Sequence, residues 1–188
     1  MITKPIKLTL LVFLTFLFCA CNQIQKKDSN ENPRKKILFD FDWKFQLGDI
    51  ENGQLTDLDD VDWRNVDLPH DWSIEDIPGT NSPIDSNTIG GISNGYFVGG
   101  IGWYRKSFEI PKDFNGKKLM LEFEGVYMNA DVWLNGVHLG NHPYGYTAFE
   151  FEISDLVKIG QNQLAVQEKT KEGIVAGIPV LVFTAMFG

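Results

Sequence analysis

The residue types that could bind a sugar gather around one short motif, Leu68-Pro69-His70-Asp71-Trp72. The carboxylate of Asp71 offers acceptors for sugar hydroxyls, although the same side chain could equally cap a turn. The indole of Trp72 offers a flat apolar surface for the C–H face of a pyranose, as do Trp103 and Trp133. All three tryptophans could instead fill a core, and for Trp133 we expect a position in the core or on a sheet face.

The sequence shows no acid/base pair of the kind used for hydrolysis. Four glutamates alternate with apolar residues, which predicts solvated strand faces: Glu122, Glu124, Glu150 and Glu152. His138 and His142 lack a third ligand, so we expect no metal site. The two cysteines, Cys19 and Cys21, both lie near the N-terminus, outside the predicted fold. We therefore expect no catalytic residue, no cofactor and no hydrolysis by the chain alone.

The elements that must position these side chains are β-strands. A period of two places every apolar residue of a run on one strand face. The first such run contains Phe39, Phe41, Trp43, Phe45 and Leu47. Further strands are predicted at Tyr104–Ile110, Leu119–Phe123, Val132–Leu134, Val137–Leu139 and Phe149–Ile153. On the Tyr104–Ile110 strand, Arg105 and Lys106 are expected on a solvated face.

Turn signals between these short strands determine the fold class. Asn135-Gly136 predicts a hairpin, because a type I′ turn needs positive φ at both positions. With no long helical period, the pattern indicates an all-β fold, an antiparallel β-sandwich. Residues Ile74–Gly100 interrupt this pattern with a long loop rich in Gly, Ser, Asn, Pro and Asp, of the kind that is functional or disordered.

The first 21 residues are organised as an export signal. Two lysines precede the apolar run Leu8–Ala20, which is too short to span a membrane comfortably. Leu17-Phe18-Cys19-Ala20-Cys21 resembles a bacterial lipobox, in which Cys21 would become the lipidated N-terminus. Phe18 departs from the usual residue there, so ordinary signal-peptidase cleavage is the alternative. We expect residues 22–36 to form a disordered tether and the protein to be exported, as a periplasmic or outer-membrane lipoprotein of a Gram-negative bacterium.

Charge and composition restrict the partners. The formal net charge of −8 argues against nucleic acid or an anionic membrane as the main partner, so membrane contact is expected only through the lipid anchor. A hydrophobic content of 43% and an aromatic content of 13% are sufficient for the core of one domain, expected at residues 37–167.

Four clusters occur in a characteristic order within residues 37–167. They are Leu68-Pro69-His70-Asp71-Trp72, Gly99-Gly100-Ile101-Gly102-Trp103-Tyr104-Arg105-Lys106, Ala130-Asp131-Val132-Trp133-Leu134-Asn135-Gly136 and Gly145-Tyr146-Thr147-Ala148-Phe149. Any one of them alone is a weak signal, but the ordered set is specific. It resembles the N-terminal sugar-binding domain of glycoside hydrolase family 2, the family of β-galactosidases, β-glucuronidases and β-mannosidases.

The resemblance implies a jelly-roll β-sandwich of the galactose-binding type. In the family an immunoglobulin-like domain and a TIM barrel follow, and the barrel carries the two glutamates of a retaining glycosidase. The long loop approaches the sugar pocket of the barrel in the family, so the resemblance adds candidate sugar contacts to Asp71 and Trp72, namely Asn81, Asp85, Asn94 and Tyr96. We expect a carbohydrate partner, a β-galactoside or a related glycan. The chain is expected to be a fragment of such a hydrolase; the alternative is a stand-alone, lipid-anchored carbohydrate-binding module.

After about Gln167 the resemblance stops. The family continues with a motif near Asn-Ser-Arg-Trp-Tyr-Ser-Gly-Ser-Gly-Ile-Tyr-Arg-His-Val-Trp, and every codon of Ile174–Gly188, taken one base earlier, can encode it. Loss of one base from a valine codon converts Gln-Val-Lys-Asn-Glu into Gln167-Glu168-Lys169-Thr170-Lys171. We therefore expect residues 168–188 to be out of frame; the alternative is a genuine apolar C-terminal strand. Without the family's last strand we expect an exposed sheet edge and poor solubility.

Overall fold

A computed structural model describes residues 34–88, 91–170 and 181–186. Cys21, the predicted export signal and most of the predicted tether lie outside these residues. Within the described part the strands are β1 Arg34–Leu38, β2 Trp43–Leu47, β3 Arg64–Val66, β4 Ile101–Ile110, β5 Lys118–Phe123, β6 Ala130–Leu134, β7 Val137–His142, β8 Phe149–Glu152, β9 Gly160–Lys169 and β10 Leu181–Met186. Three short 3₁₀ segments, Trp72–Ile74, Gly91–Asn94 and Lys112–Phe114, are the helical elements of these ranges.

The strands form two antiparallel sheets. The four-stranded sheet has the order β1-β10-β5-β8, and the six-stranded sheet has the order β3-β2-β4-β9-β6-β7. This arrangement confirms the predicted all-β jelly-roll sandwich. None of the helical segments in the described ranges has the length and apolar character needed to cross a membrane.

The first apolar run is divided between the two sheets, which the period-two pattern did not predict. β1 ends at Leu38 in the four-stranded sheet, whereas β2 begins at Trp43 in the six-stranded sheet. Asp42 has a φ of 59°, which no strand residue adopts, and Phe41 is 55% exposed. The prediction of one continuous face is therefore wrong, because the chain crosses between sheets here. β1 also begins within the predicted tether, three residues before the expected start of the sandwich.

The β6–β7 hairpin has the predicted turn. Asn135 and Gly136 have φ values of 52° and 81°, so both central residues lie in the left-handed region. A two-residue turn of this type matches the right-handed twist of the flanking strands. The sequence signal at this position is thus confirmed.

A strand from the C-terminal segment fills the place at which an exposed edge was expected. Leu181–Met186 pairs with both neighbours, so that Phe183 stands opposite Ile37 of β1 and Leu121 of β5. The expectation of a missing last strand is therefore wrong for the backbone of the described residues. Backbone pairing leaves the reading frame of this segment open, because ladder hydrogen bonds do not depend on side-chain identity.

The main core lies between the sheets, and a second apolar cluster covers the outer face of the six-stranded sheet. This second cluster contains Trp63, Trp103 and Ala165. Arg105 lies on the same face and is only 1% exposed, so the expected solvated face is wrong for this residue. The segment between β2 and β3 folds over the face, and the Arg105 guanidinium donates to the carbonyls of Gly53 and Leu55.

Candidate functional site

Asp71 caps a turn. Its Oδ1 accepts hydrogen bonds from the backbone N–H of Ser73 at 2.9 Å and from the Ser73 hydroxyl at 2.6 Å. It is the N-cap of the 3₁₀ segment Trp72–Ile74. Of the two roles that the sequence leaves open, the structure shows the capping role.

Trp72 forms part of both the core and a surface groove. Its side chain is 5% exposed and stacks on Phe45, with ring centroids 5.6 Å apart. The ring passes so close to Gly102 that a Cβ there would lie 2.7 Å from it. The indole N–H is buried and has no acceptor among the described residues. Glycine at position 102 therefore makes room for the ring that forms one wall of the groove.

The other two tryptophans do not contribute to this groove. Trp103 and Trp133 stack on each other in the outer cluster, with ring centroids 5.3 Å apart. Trp103 is buried and Trp133 is half-buried. For Trp133 the prediction of a core or sheet-face position is confirmed.

The groove, which we call the aromatic groove, has a volume of about 340 Å³. Phe45 and Trp72 supply its aromatic surface, and polar groups come from β2, β3 and the start of the long loop. Its lining residues are Phe45, Gln46, Leu47, Arg64, Trp72, Glu75, Asp76, Ile77, Pro78 and Val98. An aromatic surface bordered by hydrogen-bonding side chains suits a ligand that has one apolar face and a polar edge.

Arg64 and Glu75 are joined beside the groove. Arg64 donates to Glu75 Oε2 at 2.7 Å, and its guanidinium carbon lies 5.2 Å from the centre of the Phe45 ring. His70 Nε2 lies 3.0 Å from Glu75 Oε1, and His70 Nδ1 lies 2.8 Å from the Tyr104 hydroxyl. Nε2 is also 2.9 Å from Arg64, but one ring nitrogen cannot accept from Arg64 and donate to Glu75 at once. We assign the proton to Nε2, because the Glu75 carboxylate needs a donor; Nδ1 then accepts from Tyr104.

Burial and charge set the protonation states of this network. Burial lowers the pKa of His70 despite the neighbouring carboxylate of Glu75. Burial alone would raise the pKa of Glu75, but hydrogen bonds and positive charge from Arg64 and His70 outweigh it, so that this pKa is lowered. Burial, followed by the charge of Glu168, raises the pKa of Tyr104 well above its usual value. At neutral pH the network therefore combines a neutral His70 and a neutral phenol with an Arg64–Glu75 ion pair.

The candidates in the long loop lie elsewhere. Asp85 accepts from the backbone N–H and the side-chain amide of Asn87, at 2.8 and 3.0 Å, which makes a local turn. Its own N–H donates to the carbonyl of Tyr96, which has a φ of 65°. Asn81 is exposed, and Asn94 ends the 3₁₀ segment Gly91–Asn94, with its side chain outside the described part. The structure thus brings Asp85 and Tyr96 together through the backbone, and neither they nor Asn81 line the aromatic groove.

No sequence signal indicated that Phe45, Arg64 and Glu75 would line the same groove. Arg64 and Glu75 are isolated charges in loop-like sequence, with no motif to connect them. Phe45 belonged to an apolar run that predicted only a strand face. Among the described residues no group of three metal-ligating side chains occurs; His138 pairs with Asp131, and His142 with Thr147.

Comparison with known proteins gives one consistent result. A family model described as glycosyl hydrolases family 2, sugar binding domain, matches residues 38–172. A β-galactosidase of Bacteroides ovatus is 42% identical over 142 residues, which are 75% of this chain and 16% of that protein. A β-glucuronidase of Bacteroides fragilis is 36% identical over 159 residues, which are 84% of this chain and 19% of that protein.

Solved structures agree with the sequence relatives. A glycosyl hydrolase family 2 member from Bacteroides cellulosilyticus is similar with a TM-score of 0.73 and 46% identity. The match covers 80% of this chain and 20% of that one. The chain therefore spans no more than about a fifth of the length of the relatives described here.

Proposed function

The chain belongs to glycosyl hydrolase family 2 and contains the sugar-binding domain of that family. We propose that it is the carbohydrate-binding part of an exported glycosidase of the β-galactosidase type. The small share of each relative that it covers supports the view that the hydrolytic residues belong to other domains of a longer enzyme. A retaining mechanism in that enzyme would need two carboxylates roughly 5 Å apart in a substrate pocket. The described glutamates on β5 and β8, Glu122, Glu150 and Glu152, lie along strands, and Glu122 and Glu152 pair with lysines.

The aromatic groove is the observation that carries the sugar-binding proposal. Phe45 and Trp72, which are 4% and 5% exposed, contribute apolar lining to the groove, and Gln46, Arg64 and Asp76 contribute polar lining. Sugars present an apolar C–H face and a rim of hydroxyls, so both parts of this surface have a counterpart in the ligand.

The charges of the groove favour a neutral sugar over a uronic acid. Arg64, the cation that lines it, is already paired with Glu75 at 2.7 Å. Asp76 adds a second carboxylate to the lining. A glucuronate carboxylate would meet uncompensated negative charge here, whereas a galactoside would not. We therefore propose a β-galactoside or another neutral β-glycoside as the ligand.

Titration of the purified full chain tests this proposal. Lactose is expected to give saturable binding in calorimetry or tryptophan fluorescence, and methyl β-glucuronide is expected to bind at least several-fold more weakly. Asp76→Asn should reduce the difference in affinity between the two sugars, because it removes the repulsion between Asp76 and the glucuronide carboxylate. Asp62→Asn, an equally charged change at an exposed site away from the groove, is the matched control. Absence of saturable lactose binding, or equal binding of both sugars, would contradict the proposal.

Export and lipidation are proposed from the N-terminal sequence. Labelled palmitate should be incorporated in a Gram-negative host and should be lost in Cys21→Ala but kept in Cys19→Ala. Incorporation that survives Cys21→Ala would overturn the lipidation site. Retention of the unprocessed chain in the cytoplasm would overturn export as well.

A stand-alone carbohydrate-binding module is the second candidate. The aromatic groove is formed by residues 45–98 of this one chain, so binding through it requires no further domain. The two candidates differ in what the coding DNA contains downstream. Hydrolase domains downstream favour the first candidate, and their absence together with lactose binding favours the second.

A further inference from the structure

Three tyrosines form an exposed aromatic cluster outside the aromatic groove. Tyr146 is 74% exposed and Tyr144 is 58% exposed, whereas Tyr127 is half-buried. The ring centroids of Tyr127 and Tyr146 lie 5.2 Å apart, and those of Tyr144 and Tyr146 lie 5.6 Å apart. Tyr127 belongs to the β5–β6 connection, and the other two belong to the β7–β8 connection. We call these three residues the tyrosine cluster; none of them lines the aromatic groove.

The rings of the tyrosine cluster are open to solvent to a much greater extent than the rings that line the groove. Phe45 and Trp72 are largely buried, as given above. The planes of neighbouring rings in the cluster are inclined at 75° and 62°, so these rings do not cover one another face to face. A pyranose stacks on an aromatic ring through its C–H face and therefore needs an accessible ring. The phenol hydroxyls add hydrogen-bond donors and acceptors beside that surface.

Contacts between the two connections hold the cluster in place. The backbone of Gly145 packs against the ring of Tyr127, where a Cβ on residue 145 would lie 2.9 Å from the ring atom Cγ. The backbone N–H of Asn129 donates to the carbonyl of Pro143 at 3.3 Å. Burial, followed by a hydrogen bond with Tyr146, raises the pKa of Tyr127, so this phenol is neutral at physiological pH. Rings that are positioned before a ligand arrives lose less conformational entropy on binding.

The tyrosine cluster and the aromatic groove lie at the same end of the six-stranded sheet. Leu47 lines the groove at the end of β2 and stands opposite Gly102, near the start of β4. Lys169 at the end of β9 stands opposite Ile101, and its backbone N–H donates to the carbonyl of Met128, the neighbour of Tyr127. Three strand spacings separate β2 from β6, which is roughly 15 Å. One sugar unit cannot contact both places, but an oligosaccharide can extend from one to the other.

The charges near the cluster favour a neutral ligand. Residues 124–129 and 143–148, which carry the three tyrosines, contain no lysine or arginine. Glu124 and Glu150 are exposed carboxylates in or beside these segments. Lys169 lies 3.3 Å from a carboxylate oxygen of Asp131 and is therefore already paired. An anionic glycan would meet uncompensated negative charge here, whereas a neutral one would not.

We propose that the tyrosine cluster is a second sugar-binding position, at which a pyranose unit of a neutral β-linked oligosaccharide stacks while another unit occupies the aromatic groove. The class of ligand rests on the proposed function. The binding position at the cluster does not, because its rings and hydroxyls are independent of the groove.

Nitration by tetranitromethane tests the proposal residue by residue in the purified full chain. A large excess of β-1,4-linked galactotetraose is expected to slow the nitration of Tyr144 and Tyr146 roughly threefold or more, because the occupied fraction is protected. Peptide mass spectrometry measures each rate. Tyr96, which lies outside both the cluster and the groove, is the internal control and should keep its rate. Unchanged rates at both cluster residues would overturn the inference.

Calorimetry of variants provides a second test. Tyr146→Ala is expected to weaken galactotetraose binding about fivefold at an unchanged melting temperature, because it removes an exposed stacking ring. Tyr146→Phe keeps the ring and should retain most of the affinity. Phe41→Ala removes a ring that is 55% exposed before the start of β2, away from the cluster, and is the matched control. Equal affinities of the wild type and Tyr146→Ala would contradict the proposed position.

The two sugar positions are scored separately, because lactose binding at the groove is followed by tryptophan fluorescence. Loss of that signal with continued protection of Tyr144 and Tyr146 would refute the groove and support the cluster. A lactose signal without protection of the tyrosines would overturn the cluster and leave the groove. A dimer in sedimentation that Tyr146→Ala dissociates, together with unprotected tyrosines, would identify a second copy of the chain as the occupant and would also overturn the inference.

Discussion

The imidazole of His70 bridges two parts of the fold, with Nδ1 2.8 Å from the hydroxyl of Tyr104 in the middle of β4. The hydroxyl donates to the ring nitrogen, and the opposite ring nitrogen donates to Glu75 near the start of the long loop. The short 68–72 motif is thereby attached to the sheet on one side and to a wall of the aromatic groove on the other. Protonation of His70 would remove the acceptor that Tyr104 uses.

This relationship predicts a loss of stability in mild acid. Because the folded pKa of His70 lies below its usual value of 6.5, the unfolded chain takes up more protons between those two values. Stability from His70 is fully present above pH 6.5 and decreases as the pH falls through that window. Melting curves between pH 7.5 and 5 should show the decrease, and His70→Gln should flatten it in that range. A wild-type curve that is flat from pH 7.5 to 5 would contradict the prediction.

The lowered pKa of Glu75 predicts a second loss of stability, at a more acidic pH. For a carboxylate with a folded pKa below its usual 4.5, the stabilisation is present above that value and is lost as the pH falls through the folded pKa. Arg64→Gln removes the hydrogen bond and charge that lower this pKa most, so the step should shrink. Denaturant titrations from pH 5 to 3 measure it. Glu75 is partly exposed and the pair is screened by solvent, so the effect should be small, on the order of 1 kcal/mol or less.

Arg105 should hold the segment between β2 and β3 over the outer face of the six-stranded sheet. Its guanidinium donates to Asp60 Oδ2 at 2.7 Å and to the carbonyls of Gly53 and Leu55 at 2.6 and 2.9 Å. Arg105→Ala would remove the buried donor that these three acceptors share, at a cost of roughly 3 kcal/mol in unfolding free energy. Chemical denaturation measures the loss, with Lys158→Ala at an exposed site as the control. Equal midpoints for the two variants would refute the assigned role.

Gly102 should be required for the shape of the aromatic groove. A Cβ at this position would lie 2.7 Å from the Trp72 ring and 3.2 Å from the Phe45 ring. Gly102→Ala should displace Trp72 and lower stability by about 1–3 kcal/mol, and it should weaken lactose binding as well. Gly125→Ala, where the nearest atom is 4.0 Å away, is the matched control. A variant that keeps wild-type stability and binding would show that Trp72 can move without consequence.

Asn162 should fix the connection between the turn that follows β8 and the start of β9. Its side chain is 2% exposed and donates to the carbonyls of Lys158 and Gly160 at 2.7 and 2.8 Å. Its Oδ1 accepts from the amide of Asn135 in the hairpin. Asn162→Ala should cost roughly 2 kcal/mol, whereas Gln161→Ala on the neighbouring exposed position should cost little. Thermal melts of both variants measure this difference in stability, and equal melting temperatures would contradict the role of Asn162.

Some elements of the fold were accessible from local sequence alone. The hairpin at Asn135-Gly136 depends on φ values that only a few residue types tolerate, so two letters were sufficient to predict it. The outward glutamates of β5 and β8 follow from a period of two. The single run from Phe39 to Leu47, in contrast, was misassigned, because alternation is unaffected when a chain leaves one sheet and enters the other.

The sequence by itself determined the class of fold and the family, because both depend on residue order along single strands and turns. The tertiary structure alone decided which side chains meet. It gave Asp71 a turn to cap, buried Arg105 under a loop, and brought Phe45, Arg64 and Glu75 close to Trp72. These contacts join residues on different strands and loops, and no local periodicity predicts which strands and loops lie side by side.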